Sequence, residues 1–255
     1  MHLTWLDSNS WLIEMAQQRI LLDPWLVGPL VFGNTPWFFK GEKNRPPSIP
    51  EAVDGILLSQ GLPDHAHPET LKQLDHQIPV IGSANAAKVV QDLGYIQVTA
   101  LAHGERTQLA NLEILALPGA PIGPFLVENG YLLKDLEQGT TLYYEPHGYH
   151  AAALQDLGSV DVVITPLTSL SLPLVGAFIR GGEVALQPVE WLKPQVILST
   201  TTGAGSDVEF SGFLNPFITE ADGPEVFQGL LADRNLSTQV LTPKPGQRVA
   251  VPLAG

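Results

Sequence analysis

Residues 59–67 read Ser59-Gln60-Gly61-Leu62-Pro63-Asp64-His65-Ala66-His67, the densest polar cluster of the chain. An aspartate beside a histidine in a strand-to-helix loop suits metal ligation or acid–base work, because carboxylate and imidazole hold divalent ions and pass protons near neutral pH. The segment also reads as an ordinary helix start, with Asp64 capping the first turn. A second cluster, Tyr143-Tyr144-Glu145-Pro146-His147-Gly148-Tyr149-His150, lies at another strand-to-helix junction. Glu145 and His147 are two apart and share a face if the backbone is extended, although Pro146 equally suits a helix N-terminus. His67, Glu145 and His150 are spare candidates as ligand or base. Asp23 closes the apolar run Ile20-Leu21-Leu22, where a carboxylate is costly unless paired. It either caps local amides or supports a neighbouring site from behind. The chain has no cysteine, which excludes disulfides, thiolate metal sites and cysteine nucleophiles. Nucleophile-elbow, phosphate-loop, HExxH and EF-hand patterns are absent from the sequence.

The elements that must position these residues are mostly short strands. Residues 3–6, 10–14 and 19–23 predict three strands in quick succession, and 55–59 and 79–82 two buried ones. Helical spacing covers 68–76 and 84–93. Residues 107–109, 112–117, 124–128, 131–134 and 140–144 form a strand meander. Beyond it, helices are predicted over 149–157, 182–192 and 224–232, and strands over 161–165, 195–200, 239–241 and 248–251. Each half can supply one mixed sheet with helices outside it, and no linker splits the chain. The expected architecture is a single domain over 1–255, an α/β (α+β) four-layer αββα sandwich. A doubly wound parallel sheet fits less well, given the hairpin-length connections and the absence of a Gly-rich first turn. Residues 26–39 and 166–179 are apolar without a regular period. Trp25, Phe32, Trp37, Phe38, Phe39 and Phe178 in and beside them are candidates for an apolar pocket or interface.

The 255 residues are 44% hydrophobic and only 15% charged, with a net charge of −13. Such a chain folds rather than remaining disordered. The acidic balance disfavours nucleic acid as a partner. No uninterrupted apolar run is long enough to span a membrane, and no export signal is visible at the N-terminus, so a cytoplasmic location is expected.

In order, these pieces resemble the metallo-β-lactamase superfamily, most closely its UlaG-like branch. The opening TWLDSNSWLIEMAQQRILLDPWL is similar to that family's first hairpins. GILLSQGLPDHAHPETL falls at its Ser-His-x-His-x-Asp-His motif, and GTTLYYEPHGYH falls at the segment with the bridging Asp. The resemblance implies the αββα fold and a metal-dependent hydrolase. It also places Gln60 and Leu62 at the first two histidines, Asp64 and His65 at the Asp-His pair and His147 at the bridging Asp. The third histidine is replaced near Ala120 and the last within 199–202. A motif so depleted implies first a non-catalytic member that binds an apolar small molecule or a protein partner, with no metal. The alternative is a mononuclear hydrolase of an ester, amide or phosphoester, in which Asp64, His65 and His147 hold one zinc, manganese or iron ion.

Overall fold

The N-terminal strands His2–Trp5, Trp11–Met15 and Gln18–Leu22 pair antiparallel in the computed structural model, which describes residues 1–201 and 205–253. Their side chains alternate between two different cores. Leu3, Trp5, Trp11, Ile13, Ile20 and Leu22 enter one, whereas Leu12 and Leu21 enter another. Strands buried on both faces need apolar residues at every position, which explains runs such as Ile20-Leu21-Leu22.

The strand Gly55–Leu58 continues this sheet in parallel with Gln18–Leu22, followed by Val80–Gly82 and Val98–Ala100, while Arg248–Ala250 closes the opposite edge. The second sheet is also mixed and seven-stranded. Arg106–Leu109, Leu112–Ile122, Leu126–Asp135 and Thr141–Tyr144 run antiparallel, and Val162–Thr165, Val196–Ser199 and Gln239–Leu241 extend it in parallel. The core between the sheets takes Ile114, Tyr131, Tyr144, Ile164 and Leu198 from the second. Leu115, Tyr143, Val163 and Ile197 point outward, against the helices Leu186–Leu192 and Pro224–Asp233. Leu71 and Val90, from the helices Pro68–Leu71 and Ala84–Asp92, pack on the outer face of the first sheet. The order is therefore helix, sheet, sheet, helix: the αββα sandwich, and not a doubly wound sheet.

Several elements differ from their sequence reading. The helix expected over 68–76 stops at Leu71, whose carbonyl accepts the Tyr95 hydroxyl, and Asp75 then forms an Asx turn to the Gln77 amide. That expected over 149–157 is only a 3-10 helix, Ala152–Asp156. The strands read at 112–117 and 124–128 belong to one long hairpin whose register shifts between Pro118 and Pro121. Both prolines are tolerated because pairing is interrupted there. Gly119 is needed in this irregularity, since a Cβ would lie 2.9 Å from Glu128 Cγ. The segment 166–179 is a hairpin, Thr168–Leu172 with Gly176–Ile179, joined by Thr219–Asp222. Lys40–Lys43 pairs with both Leu30–Val31 and Val208–Ser211. These two small sheets supply the walls of a cavity described below.

Buried titratable groups give the fold an alkaline signature. Lys43 Nζ donates to the carbonyls of Leu6 and Trp25 at 2.8 and 2.6 Å, and burial pulls its pKa from 10.5 to about 8. Between those values the unfolded chain binds the extra proton, so stability rises with pH. Tyr95, Tyr131, Tyr143 and Tyr144 are shifted the other way by burial, above 10. Above pH 10 the folded state holds the extra protons and stability falls. Urea midpoints are expected to rise from pH 8 to about 10 and drop beyond, with the phenolate absorbance of these four tyrosines appearing together with unfolding. A flat profile would contradict this.

Candidate metal centre

Both sheets send the carboxyl ends of their central strands to one edge of the sandwich, where ligand sites of layered α/β folds form. Asp23 follows the strand Gln18–Leu22 and is fully buried, with a left-handed φ of 42°. It accepts from the Ser59 amide at 2.7 Å, the Ser59 hydroxyl at 2.6 Å and the Tyr144 hydroxyl at 2.7 Å. Its Oδ2 also lies 2.7 Å from His65 Nδ1. Four donors converge on one carboxylate, which offsets its desolvation and fixes the His65 ring. Asp23 thus lies behind the His65 ring, on the side of Nδ1.

His65 is fully buried, and its Nε2 lies 3.1 Å from Asp64 Oδ2 and 3.3 Å from Asn9 Nδ2. Burial opposes a charge on His65, but Asp64 and Asp23 on either side outweigh it and hold its pKa well above the ordinary value. Burial likewise pushes Asp64 up, and His65 and His147 outweigh that and hold it below the usual carboxylate range.

His147 comes from the other sheet. Its loop is tied down by Glu145, whose carboxylate accepts the amides of His147, Gly148 and Tyr149. Gly148 takes a φ of +78°, and a Cβ there would strike the Arg180 carbonyl. The His147 Nδ1 lies 2.6 Å from Glu128 Oε1. Glu128 is fully buried and also accepts from the Ala120 amide and Gln60 Nε2, each at 3.0 Å. Burial raises the Glu128 pKa, but His147 outweighs this and the net direction is down. Burial and the adjacent Glu128 charge together push Glu145 well up.

One donor atom each from Asp64, His65 and His147 lies within 4.8 Å of the others, and the same holds for Glu128, Glu145 and His147. The sequence motif thus brings its three proposed ligands together. Two buried oxygens at this edge, Asp64 Oδ1 and Gln60 Oε1, have no hydrogen-bond partner among the described residues. Unsatisfied buried acceptors beside a convergent carboxylate and two imidazoles fit a cation.

A cavity of about 500 Å³ opens above this floor. Asn9, Gln60, Asp64, His147 and Thr201 form its polar base, and Phe32, Phe38, Phe39 and Phe178 line its walls. Trp25 does not. It is fully buried, donates from Nε1 to the Gly28 carbonyl and carries Lys43 over its ring. Trp37 also lies off the cavity, 69% exposed. His67 is no ligand: it caps the helix Pro68–Leu71, accepting the Thr70 amide at Nδ1, and Nε2 contacts the Pro29 carbonyl. Glu145 is behind His147 and does not line the cavity. His150 packs on Tyr143, on the helix side of the second sheet. Thr202, the last residue of the expected fourth-histidine segment, lies outside the described residues.

His150 carries a separate prediction. Burial pushes its pKa down to about 3, with Arg180 adding to the effect, and its Nε2 has no partner among the described residues. From pH 6.5 down toward 3 the unfolded chain takes the proton and the folded chain does not, so stability falls with acidification. His150→Phe should flatten the melting temperature between pH 7 and 4, on the order of 2 kcal/mol after allowing for partial exposure. An unchanged acid slope would refute the assignment.

Sequence reasoning passed over Asn9, Glu128 and Thr201. Glu128 left a trace, an acid inside the apolar strand Leu126–Asp135. Thr201 was named only as part of the segment 199–202, and Asn9 left no trace, because its Oδ1 meets Thr201 Oγ1, at 2.9 Å, only through folding.

The sequence profile of the β-lactamase superfamily domain matches residues 2–201, more than three quarters of the chain. The chain belongs to the metallo-β-lactamase superfamily. Among superfamily relatives, a UPF0173 metal-dependent hydrolase of Methanopyrus kandleri is 23% identical over 97% of this chain and 98% of its own. Another, from Paracoccus denitrificans, is 26% identical over 62% of this chain and 64% of its own. The superfamily fold recurs in Igni18, a metallo hydrolase of Ignicoccus hospitalis, with a TM-score of 0.70 and 17% identity over 99% of both chains. It recurs again in an isothiocyanate hydrolase from Delia radicum gut bacteria, with a TM-score of 0.72 and 15% identity over 98% and 99% of the two chains.

Proposed function

We propose that this protein is a metal-dependent hydrolase that works with one divalent cation, held by Asp64, His65 and His147. The observation that carries this reading is the convergence of those three side chains within 4.8 Å at the cavity floor. Zinc, manganese or iron there would supply Lewis acidity for opening an ester, amide or phosphoester bond. Asp23 holds the His65 ring, Glu128 and the Glu145-bound loop hold His147, and the Phe-lined walls exclude water from the reacting group. The cavity takes an apolar small molecule as the partner.

The non-catalytic reading rested on the replaced histidines. Those replacements gather on one side: Gln60 and the Ala120 amide bond to Glu128, while Leu62 lines the cavity. The Asp64–His65 side keeps its donors and its supporting carboxylate, which favours a rebuilt single-ion site over a lost one. No helix among the described residues is long and apolar enough to cross a membrane.

The test is metal content by elemental mass spectrometry, after exposure to zinc, manganese or iron and desalting. About one equivalent, and hydrolysis of an activated ester that disappears with chelator and returns with the ion, is the expected result. No retained metal under any of the three would overturn the reading.

A further inference from the structure

We propose that the cavity selects a substrate by an uncharged apolar tail, a medium-length alkyl chain or single ring, and rejects one whose tail carries a carboxylate or phosphate. This rests on the hydrolase reading above and names the substrate class of that site. The cavity is two-ended. Asp64 and His147 sit at the floor, and the far walls carry Leu170, Leu172 and Phe178 from one small sheet and Phe210 from the other, with Phe32 and Phe39 beside them.

Charge decides what those walls accept. Among the described residues lining the cavity there is no lysine or arginine, and the one charged group away from the floor is Glu220, exposed at the rim. An anionic tail would be desolvated with no cation to meet it and would pass a carboxylate on the way in. Sugars and nucleotides fare no better, since their hydroxyls would face aromatic and aliphatic carbon. At about 500 Å³ the space matches a small ligand rather than a polymer.

The apolar surface also continues outward. Phe38, a wall residue, contacts exposed Trp37 at 5.8 Å between ring centroids and Phe213 at 6.4 Å, and Phe213 contacts Phe217 at 5.6 Å. A tail too long for the cavity therefore meets an aromatic ladder at its mouth instead of water.

The experiment uses the full chain and two readouts. Calorimetry compares 1-butanol, 1-hexanol and 1-octanol with 8-hydroxyoctanoate. Each two-carbon step should tighten binding roughly 15-fold, and the terminal carboxylate should cost more than about 100-fold. Leu172→Trp should fill the wall and abolish octanol binding, and Phe178→Ala should weaken it, with one equivalent of metal still taken up by both. Two independent wall variants keep the test alive if one fails to fold. In parallel, p-nitrophenyl acetate, butyrate and octanoate are assayed with metal. Equal binding of octanol and 8-hydroxyoctanoate, or chain-length-independent hydrolysis, would overturn the tail site while leaving the hydrolase standing. Octanol binding with no hydrolysis of any ester would sink the hydrolase and leave the apolar site standing.

Discussion

His65→Ala is expected to abolish metal retention and to lower ester hydrolysis at least ~1,000-fold, the scale on which removing a central catalytic group acts. His65 is one of three convergent donors, and its second ring nitrogen is fixed by the buried Asp23 carboxylate. The fold should survive the change, because Asp23 keeps the Ser59 amide, the Ser59 hydroxyl and the Tyr144 hydroxyl as donors. Metal stoichiometry by elemental mass spectrometry, beside circular dichroism, separates loss of the site from loss of the fold. Retention of a full equivalent by His65→Ala would remove this histidine from the ligand set.

Asp23→Ala is expected to do the converse and damage fold and site together. It deletes the carboxylate on which those three donors and His65 converge, and it leaves the buried imidazole with Asp64 as its one carboxylate neighbour. Breaking a buried, hydrogen-bonded charge pair costs about 3–5 kcal/mol. In a domain of this size that lowers the melting temperature by roughly 6–20 °C. Metal affinity should fall a further 10- to 100-fold, the usual effect of losing a carboxylate behind a ligating histidine. Tyr144→Phe removes only one donor and should cost about 1 kcal/mol. An Asp23→Ala protein that melts like the wild type would show that this network holds nothing.

Much of this was legible in the sequence. Strand runs such as Ile20-Leu21-Leu22 and Val162-Val163-Ile164 are apolar at every position because both faces are buried, and that pattern survives without any tertiary information. Asp64, His65 and His147 were visible because carboxylate and imidazole at strand ends are few in this chain. Trp25 and His67 were misplaced for a common reason: an aromatic or a histidine in a loop looks the same whether it faces a cavity or a helix terminus. The hairpin at 168–179 was hidden by Pro173 and Leu174 at its turn, which blur the alternation of Thr168–Leu172. Glu128 was hidden by distance, since its partners Gln60, Ala120 and His147 come from three separate segments.

The convergent cluster draws Asp64 and His65 from one sheet's loops and His147 from the other's. An ion bound there would be a staple across the sandwich. At a hundred times its dissociation constant it would add about 2.7 kcal/mol to the docking of the two halves. Such a site also comes into being late. A nascent chain that has released only its first hundred residues carries Asp64 and His65 but not the loop that faces them. The three donors therefore meet only when the second sheet closes over the first, and any activity that needs all three waits for that step.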